Sequence, residues 1–233
     1  MKMPLDQRLA EQLRQDGFCV IPDALPPETL RRAKEALDNA VTKMRAEGES
    51  TFDQKIDYTD ANIRVQNLPD RDPIFGELLE WPEAIEIVHH LLGPDAIVAS
   101  FTANIALPGS RSMKIHSDQA LVEPGPWEEI TALNIIWCLD DIYEENGATR
   151  YLPGSHNIRT FEELPADAEA QMTPFVAKAG SLVAMEGRVW HTSGANVTKD
   201  QERRLIFAYY LKPSVRPSVD WEELIKPDAA ADH

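Results

Sequence analysis

The chain changes its hydrophobic periodicity near Asp95, and that change limits what it can fold into. Upstream, apolar residues recur at helical spacing. From about Leu5 to Gln15 they fall at Leu5, Leu9 and Leu13, and Gly17 ends the run. FCVIPDAL then reads as a short strand and turn. Pro26 and Pro27 open a second helix whose stripe is Leu30, Ala33, Leu37 and Val41, closed by Gly48. ESTFDQKIDYTDAN reads as loop and IRVQNL as a brief strand. Pro73 starts another helical segment, Pro82 divides it and Gly93 stops it. Downstream, AIVASFTANIAL, ITALNIIWCLDDI, TPFVAKAG, SLVAME and RRLIFAYYL are rich in β-branched and aromatic residues, bounded by Pro, Gly, Asp and Asn. Helices followed by a run of strands predict an α+β fold. A double-stranded β-helix (jelly roll) with N-terminal and flanking helices suits this many antiparallel strands. The expected organisation is one domain over 1–233, helical over 1–93, with the jelly-roll core at about 95–213 and a frayed tail, IKPDAAADH.

Composition excludes several partners. A net charge of −16 offers no basic footprint for nucleic acid or an anionic membrane surface. No stretch approaches about eighteen uncharged apolar residues, which excludes a membrane helix. The opening MKMPLDQRLAEQ has no apolar segment of the secretory kind, so a cytoplasmic protein is the expectation. Cys19 and Cys138 stand among apolar neighbours and read as buried thiols.

The chemistry is sought among six histidines. His89 and His90 are adjacent on a predicted helix, about 100° apart, so they read as one half-buried and one exposed residue. His233 is terminal, and His156 in LPGSH reads as a turn-stabilising residue. His116 and Asp118 differ. They stand two apart in MKIHSDQ, at a predicted strand end, where alternate residues share a face and an imidazole and a carboxylate converge. His191, in VWHTSGAN between two predicted strands, completes two imidazoles and one carboxylate. That set is the facial triad of non-haem iron(II) oxygenases, which leaves positions open for other ligands. Zinc competes, but its catalytic sites usually use three histidines or an H-E-x-x-H helix, and neither is present. Arg203 enters the strand RRLIFAYYL, and its planar fork suits a buried carboxylate. Arg204 points to the opposite face, so only one of the two can reach the site.

These pieces together resemble the phytanoyl-CoA dioxygenase family of 2-oxoglutarate-dependent oxygenases. The resemblance covers nearly the whole chain: DGFCVIPDALPPETLRRAKEAL, IHSD, NGATRYLPGSH and WHTSGANVTKDQERRLIFAYYL. It implies an enzyme that uses Fe(II), 2-oxoglutarate and O2 to hydroxylate, or otherwise oxidise, an unactivated C–H bond. The substrate is expected to be a small metabolite or natural-product intermediate, with release of succinate and CO2. It implies that His116, Asp118 and His191 are the catalytic metal ligands and that Arg203 grips the distal carboxylate of 2-oxoglutarate. Ser193 would assist that carboxylate, with Asn134, Arg64 and Thr149 also beside the cosubstrate. Halogenating relatives replace the metal carboxylate with a small residue; Asp118 is present, so hydroxylation is favoured. The segment between His156 and Pro174 is expected to shape the substrate pocket, and LVEPGPWEEI, with Trp127, to act as a lid or as packing. Lys114, Arg111 and Arg150 read equally as a positive rim that would suit a coenzyme A thioester and as ordinary surface charges. Two rivals stay open: a cupin-type metalloenzyme without 2-oxoglutarate, and a non-catalytic jelly-roll binding module. A homo-oligomer is neither required nor excluded.

Overall fold

The computed structural model of the chain describes residues 6–53, 57, 59–122 and 125–215. Leu5 and the tail IKPDAAADH lie outside them. The first helix, α1 (Gln7–Asp16), is capped by Asp6, whose side chain accepts from the Arg8 N–H at 2.8 Å. It ends at Gly17, with φ 71°. A Cβ there would lie 2.6 Å from Val189, so both conformation and space demand glycine.

Strand β1 (Phe18–Ile21) leads into α2 (Pro27–Glu47), which buries Ala33, Ala36, Leu37, Ala40, Val41 and Met44 along one face. After β2 (Asn62–Val65) come α3 (Pro73–Leu79) and α4 (Pro82–Leu91), divided at the expected proline. His89 is half-buried and His90 exposed. The remaining strands are β3 (Ile97–Ala106), β4 (Ala132–Cys138), β5 (Thr149–Tyr151), β6 (Thr173–Pro174), β7 (Leu182–Glu186), β8 (His191–Ser193) and β9 (Arg203–Leu211).

The strands form a six-stranded sheet, β1-β7-β4-β9-β3-β2, and a three-stranded sheet, β6-β5-β8, antiparallel throughout. This is the α+β jelly roll, open rather than closed into a barrel. Strand alternation divides the large sheet between two cores. Leu133, Ile135, Trp137, Ile206, Ala208 and Tyr210 pack with the buried faces of the helices. Ile136, Cys138, Val183, Met185 and Leu205 pack with Ala148 and Phe175 of the small-sheet side. Cys19 and Cys138 are fully buried, and that burial pushes both thiols up to about 12.

Two strand expectations need correction. TPFVAKAG pairs as a strand only at Thr173–Pro174. Pro174 has no N–H for the ladder, and the next residue, Phe175, drops its ring into the inner core. MKIHSDQ is not a strand either. His116 makes a single antiparallel bridge to His191, and Asp118 already begins a 3-10 turn, Asp118–Leu121.

Candidate metal centre

The bridge that replaces the expected strand brings the two histidines together. Each of His116 and His191 donates its backbone N–H to the other's carbonyl at 2.9 Å, and their rings lie 4.4 Å apart. Ser117 between His116 and Asp118 is extended (φ −122°, ψ 134°), so the two side chains still share a face although no strand continues. Ser117 turns the other way, and its hydroxyl donates to the Gly187 carbonyl at 2.7 Å. Gly187 belongs to the turn before His191. A Cβ on it would sit 2.6 Å from the Ala132 Cβ, so only glycine lets this turn lie against β4.

The donor atoms converge. His116 Nε2 is 3.7 Å from one Asp118 carboxylate oxygen and His191 Nε2 is 3.7 Å from the other. Two bonds of about 2.0–2.2 Å to a shared ion span that distance. Both imidazoles carry the same support: Nδ1 lies 2.9 Å from a backbone carbonyl, Lys114 for His116 and Val189 for His191. That contact fixes Nδ1 as the donor and leaves each Nε2 lone pair facing inward. Burial, reinforced by the neighbouring His191, pulls His116 down to about 4, so its imidazole is neutral and ready to ligate at neutral pH. Asp118 is held at both ends. Asn134 of β4 donates from Nδ2 to its carboxylate at 2.5 Å, and Tyr209 of β9 donates its hydroxyl to its carbonyl at 2.8 Å. Asn134 and Tyr209 are cross-strand partners, so the large sheet orients the carboxylate while the small sheet carries His191. Burial pushes the Tyr209 phenol well up, which keeps it a donor.

A cavity of about 380 Å³ opens beside these ligands, and Arg203 stands in its wall. Its side chain is among the largest fully buried ones. Nε donates to the Gly147 carbonyl at 3.1 Å and Nη1 to Asn104 Oδ1 at 3.0 Å. Burial pulls it down to about 10, so it stays charged at neutral pH. Among the described residues no carboxylate pairs with it. A buried cation left without an anion is costly, and the cavity it lines is open to an anionic group. Arg204 faces the opposite side of β9, bound to Asp140 at 2.9 Å and to Asp38 of α2 at 3.1 Å.

The matches with known proteins agree with this geometry. The model of the phytanoyl-CoA dioxygenase family matches residues 13–205. The chain belongs to this family. It is therefore an oxidoreductase of the dioxygenase class. It is 43% identical over 209 residues to the dioxygenase af480 of Aspergillus fumigatus, covering 90% of this chain and 68% of that protein. Among solved structures it resembles the non-haem α-ketoglutarate-dependent carbocyclase SnoK from nogalamycin biosynthesis. That likeness has a TM-score of 0.73 and 22% identity, and covers 94% of this chain and 90% of the other. HygX from Streptomyces hygroscopicus, solved with nickel, 2-oxoglutarate and hygromycin B bound, resembles it with a TM-score of 0.72 and 16% identity, covering 90% and 88%.

The remaining expected residues also line the cavity, in different circumstances. Ser193 and Thr149 are cross-strand partners on β8 and β5, and Ser193 Oγ already accepts the Met113 N–H at 3.2 Å. Arg64 is gripped by Asp57, Nε at 2.6 Å and Nη2 at 2.8 Å, with the Asp57 side chain fully buried. One expectation fails, and one alternative is decided. No described residue between His156 and Pro174 lines the cavity. Trp127 is buried against Trp190, 5.9 Å between rings, which favours the packing alternative; among the described residues of its segment, Leu121 and Val122 reach the cavity. His156 is buried in its turn, away from the cavity. Asn104, Tyr209 and Asp57 were not anticipated. Ser100, Thr102 and Asn104 alternate with apolar residues along β3, and that polar row was the readable sign of a cavity-facing strand.

Proposed function

We propose that the chain is an Fe(II)- and 2-oxoglutarate-dependent dioxygenase that oxidises a C–H bond of a small metabolite or natural-product intermediate. The helical part and the strand-rich part would serve this one catalytic domain. The observation that carries the reading is the pairing of a His-Asp-His donor set with a buried arginine that meets no carboxylate among the described residues, on one cavity wall. A metalloenzyme that needs no keto acid, or a binding module, would leave that cation unexplained.

His116, Asp118 and His191 would hold the iron. Held there with oxygen and 2-oxoglutarate, iron would supply the oxidant for an unactivated C–H bond, with succinate and CO2 as the products of the keto acid. The chain's own residues do the positioning. Arg203 receives the distal carboxylate through its charged fork, and Ser193 and Thr149 stand beside it with hydroxyls. Asn134 and Tyr209 keep Asp118 from rotating. Arg64, braced by Asp57, presents a fixed polar edge on the same wall, and burial of the ligand set excludes water.

The test is the fate of 2-oxoglutarate. Purified protein with ferrous iron and oxygen is expected to convert it slowly to succinate even without a prime substrate, and Arg203→Ala to abolish this at the same keto-acid concentration. Iron-dependent substrate oxidation that needs no 2-oxoglutarate and survives Arg203→Ala would contradict the reading.

A further inference from the structure

The family takes its name from a coenzyme A thioester, and such a substrate needs cations for its phosphates. The charges on the cavity wall of this chain are already committed. Among the described residues that line it, the cations are Arg64 and Arg203. Arg64 is neutralised by the fully buried Asp57 in a two-point ion pair. Arg203 is allotted to the cosubstrate carboxylate in the reading above. The carboxylate of Asp118 belongs with its two histidines. Lys114, Arg111 and Arg150, which could have formed a positive rim, do not line the cavity, and Arg150 donates to the carbonyls of Glu169 and Met172 instead.

What remains is largely apolar. Leu121, Val122, Met113, Phe207 and Leu211 supply apolar wall, with Gln66, Ser100 and Thr102 as isolated uncharged polar groups. The apolar surface continues outward. Ile97 is the cross-strand partner of Leu211, hence on the same face, and is 46% exposed.

We infer that the substrate is an uncharged, mainly hydrocarbon small molecule carrying at most a few hydroxyl or carbonyl groups, and that acyl-coenzyme A thioesters and free carboxylates are excluded. This rests on the cosubstrate assignment for Arg203. A charged head brought to this wall would lose its water without gaining a counter-ion from the described residues. The hydrocarbon part of the substrate would lie along Leu121, Val122 and Leu211, while Gln66, Ser100 and Thr102 are placed to bind its polar groups.

Matched probes test this by calorimetry on protein loaded with nickel(II) and 2-oxoglutarate, whose binding is measured first. Octan-1-ol, octanoate and octanoyl-coenzyme A share one apolar chain and differ in charge. The alcohol is expected to bind at least tenfold more tightly than either anion, and Leu121→Asp to weaken it at least tenfold. Leu121 is half-buried at the cavity edge, and circular dichroism confirms that the variant folds. Equal or tighter binding of the thioester or the carboxylate overturns the inference, as does an alcohol that fails to bind or that ignores Leu121→Asp. If 2-oxoglutarate itself does not bind the nickel protein, the prior cosubstrate assignment fails, separately and visibly, and the inference falls with it.

Discussion

Asp118 accepts a hydrogen bond on its carboxylate from Asn134 and one on its carbonyl from Tyr209, so its orientation is fixed before any metal arrives. Removing such a support weakens metal binding by about 10–100-fold in comparable centres. Asn134→Leu is expected to fall in that range in a calorimetric titration with manganese(II), whereas unchanged affinity would show that Asp118 needs no help. Arg203, also on the cavity wall, would act on the cosubstrate. A charged hydrogen-bonded contact contributes about 1.5–3 kcal/mol, so Arg203→Met is expected to raise the 2-oxoglutarate dissociation constant about 10–100-fold. Lysine, a point charge without the planar fork, should not restore it; full rescue by Arg203→Lys would reduce the role of Arg203 to charge alone. His116 gives a pH prediction. Its folded-state value, about 4, lies below the ordinary 6.5 because burial disfavours the imidazolium. Between those values the unfolded chain takes up a proton that the folded chain refuses. The metal-free protein should therefore lose stability as the pH falls from about 6.5 towards 4. Urea unfolding across that window is expected to show a flatter profile for His116→Gln, and parallel profiles would contradict the assignment.

The elements that carry the site are short, and their joints are tightly fitted. Gly187 lies between β7 and β8, where a methyl group would press on both the side chain and the backbone of Ala132. Overpacking of this kind costs about 1–3 kcal/mol. Gly187→Ala is thus expected to lower the unfolding temperature and also to weaken metal binding, because His191 follows on the same turn; a loss of stability with metal affinity intact would uncouple the two. Much at this scale was legible in the sequence. α2, α3 and α4 begin at prolines, two of the first three helices end at glycines, and β9 separates Arg203 from Arg204 by simple alternation. That His116, Asp118 and His191 would gather, with Arg203 on the same cavity wall, was readable because few residue types suit the roles proposed for them. β5 and β8 were not, since three residues between turns carry no period. Nor was the pairing of His116 with His191, which is made by backbone atoms alone. Asp57 escaped notice because its value depends on Arg64 lying across the loop from it, a contact that composition cannot reveal.

At the scale of the whole molecule the large sheet serves two purposes at once. One face anchors the N-terminal helices through a continuous apolar core, and the other presents Asn104, Asn134, Arg203 and Tyr209 to the cavity. Arg204 ties the anchored face to α2 through Asp38 and shares Asp140 with Lys34. Among the described residues no helix is long and apolar enough to cross a membrane. Against a net charge of −16, a buried arginine that pairs with no carboxylate among the described residues is the molecule's least expected feature, and a dicarboxylate cosubstrate would explain it. The most direct test is anaerobic. Ferrous iron and then 2-oxoglutarate are added to the purified protein and the visible absorption spectrum is recorded. Chelation of iron(II) by a keto acid gives a weak metal-to-ligand charge-transfer band. The band is expected with the wild-type chain, absent in His116→Ala and weakened in Arg203→Ala. Iron binding without the band would contradict the assignment of 2-oxoglutarate to this cavity.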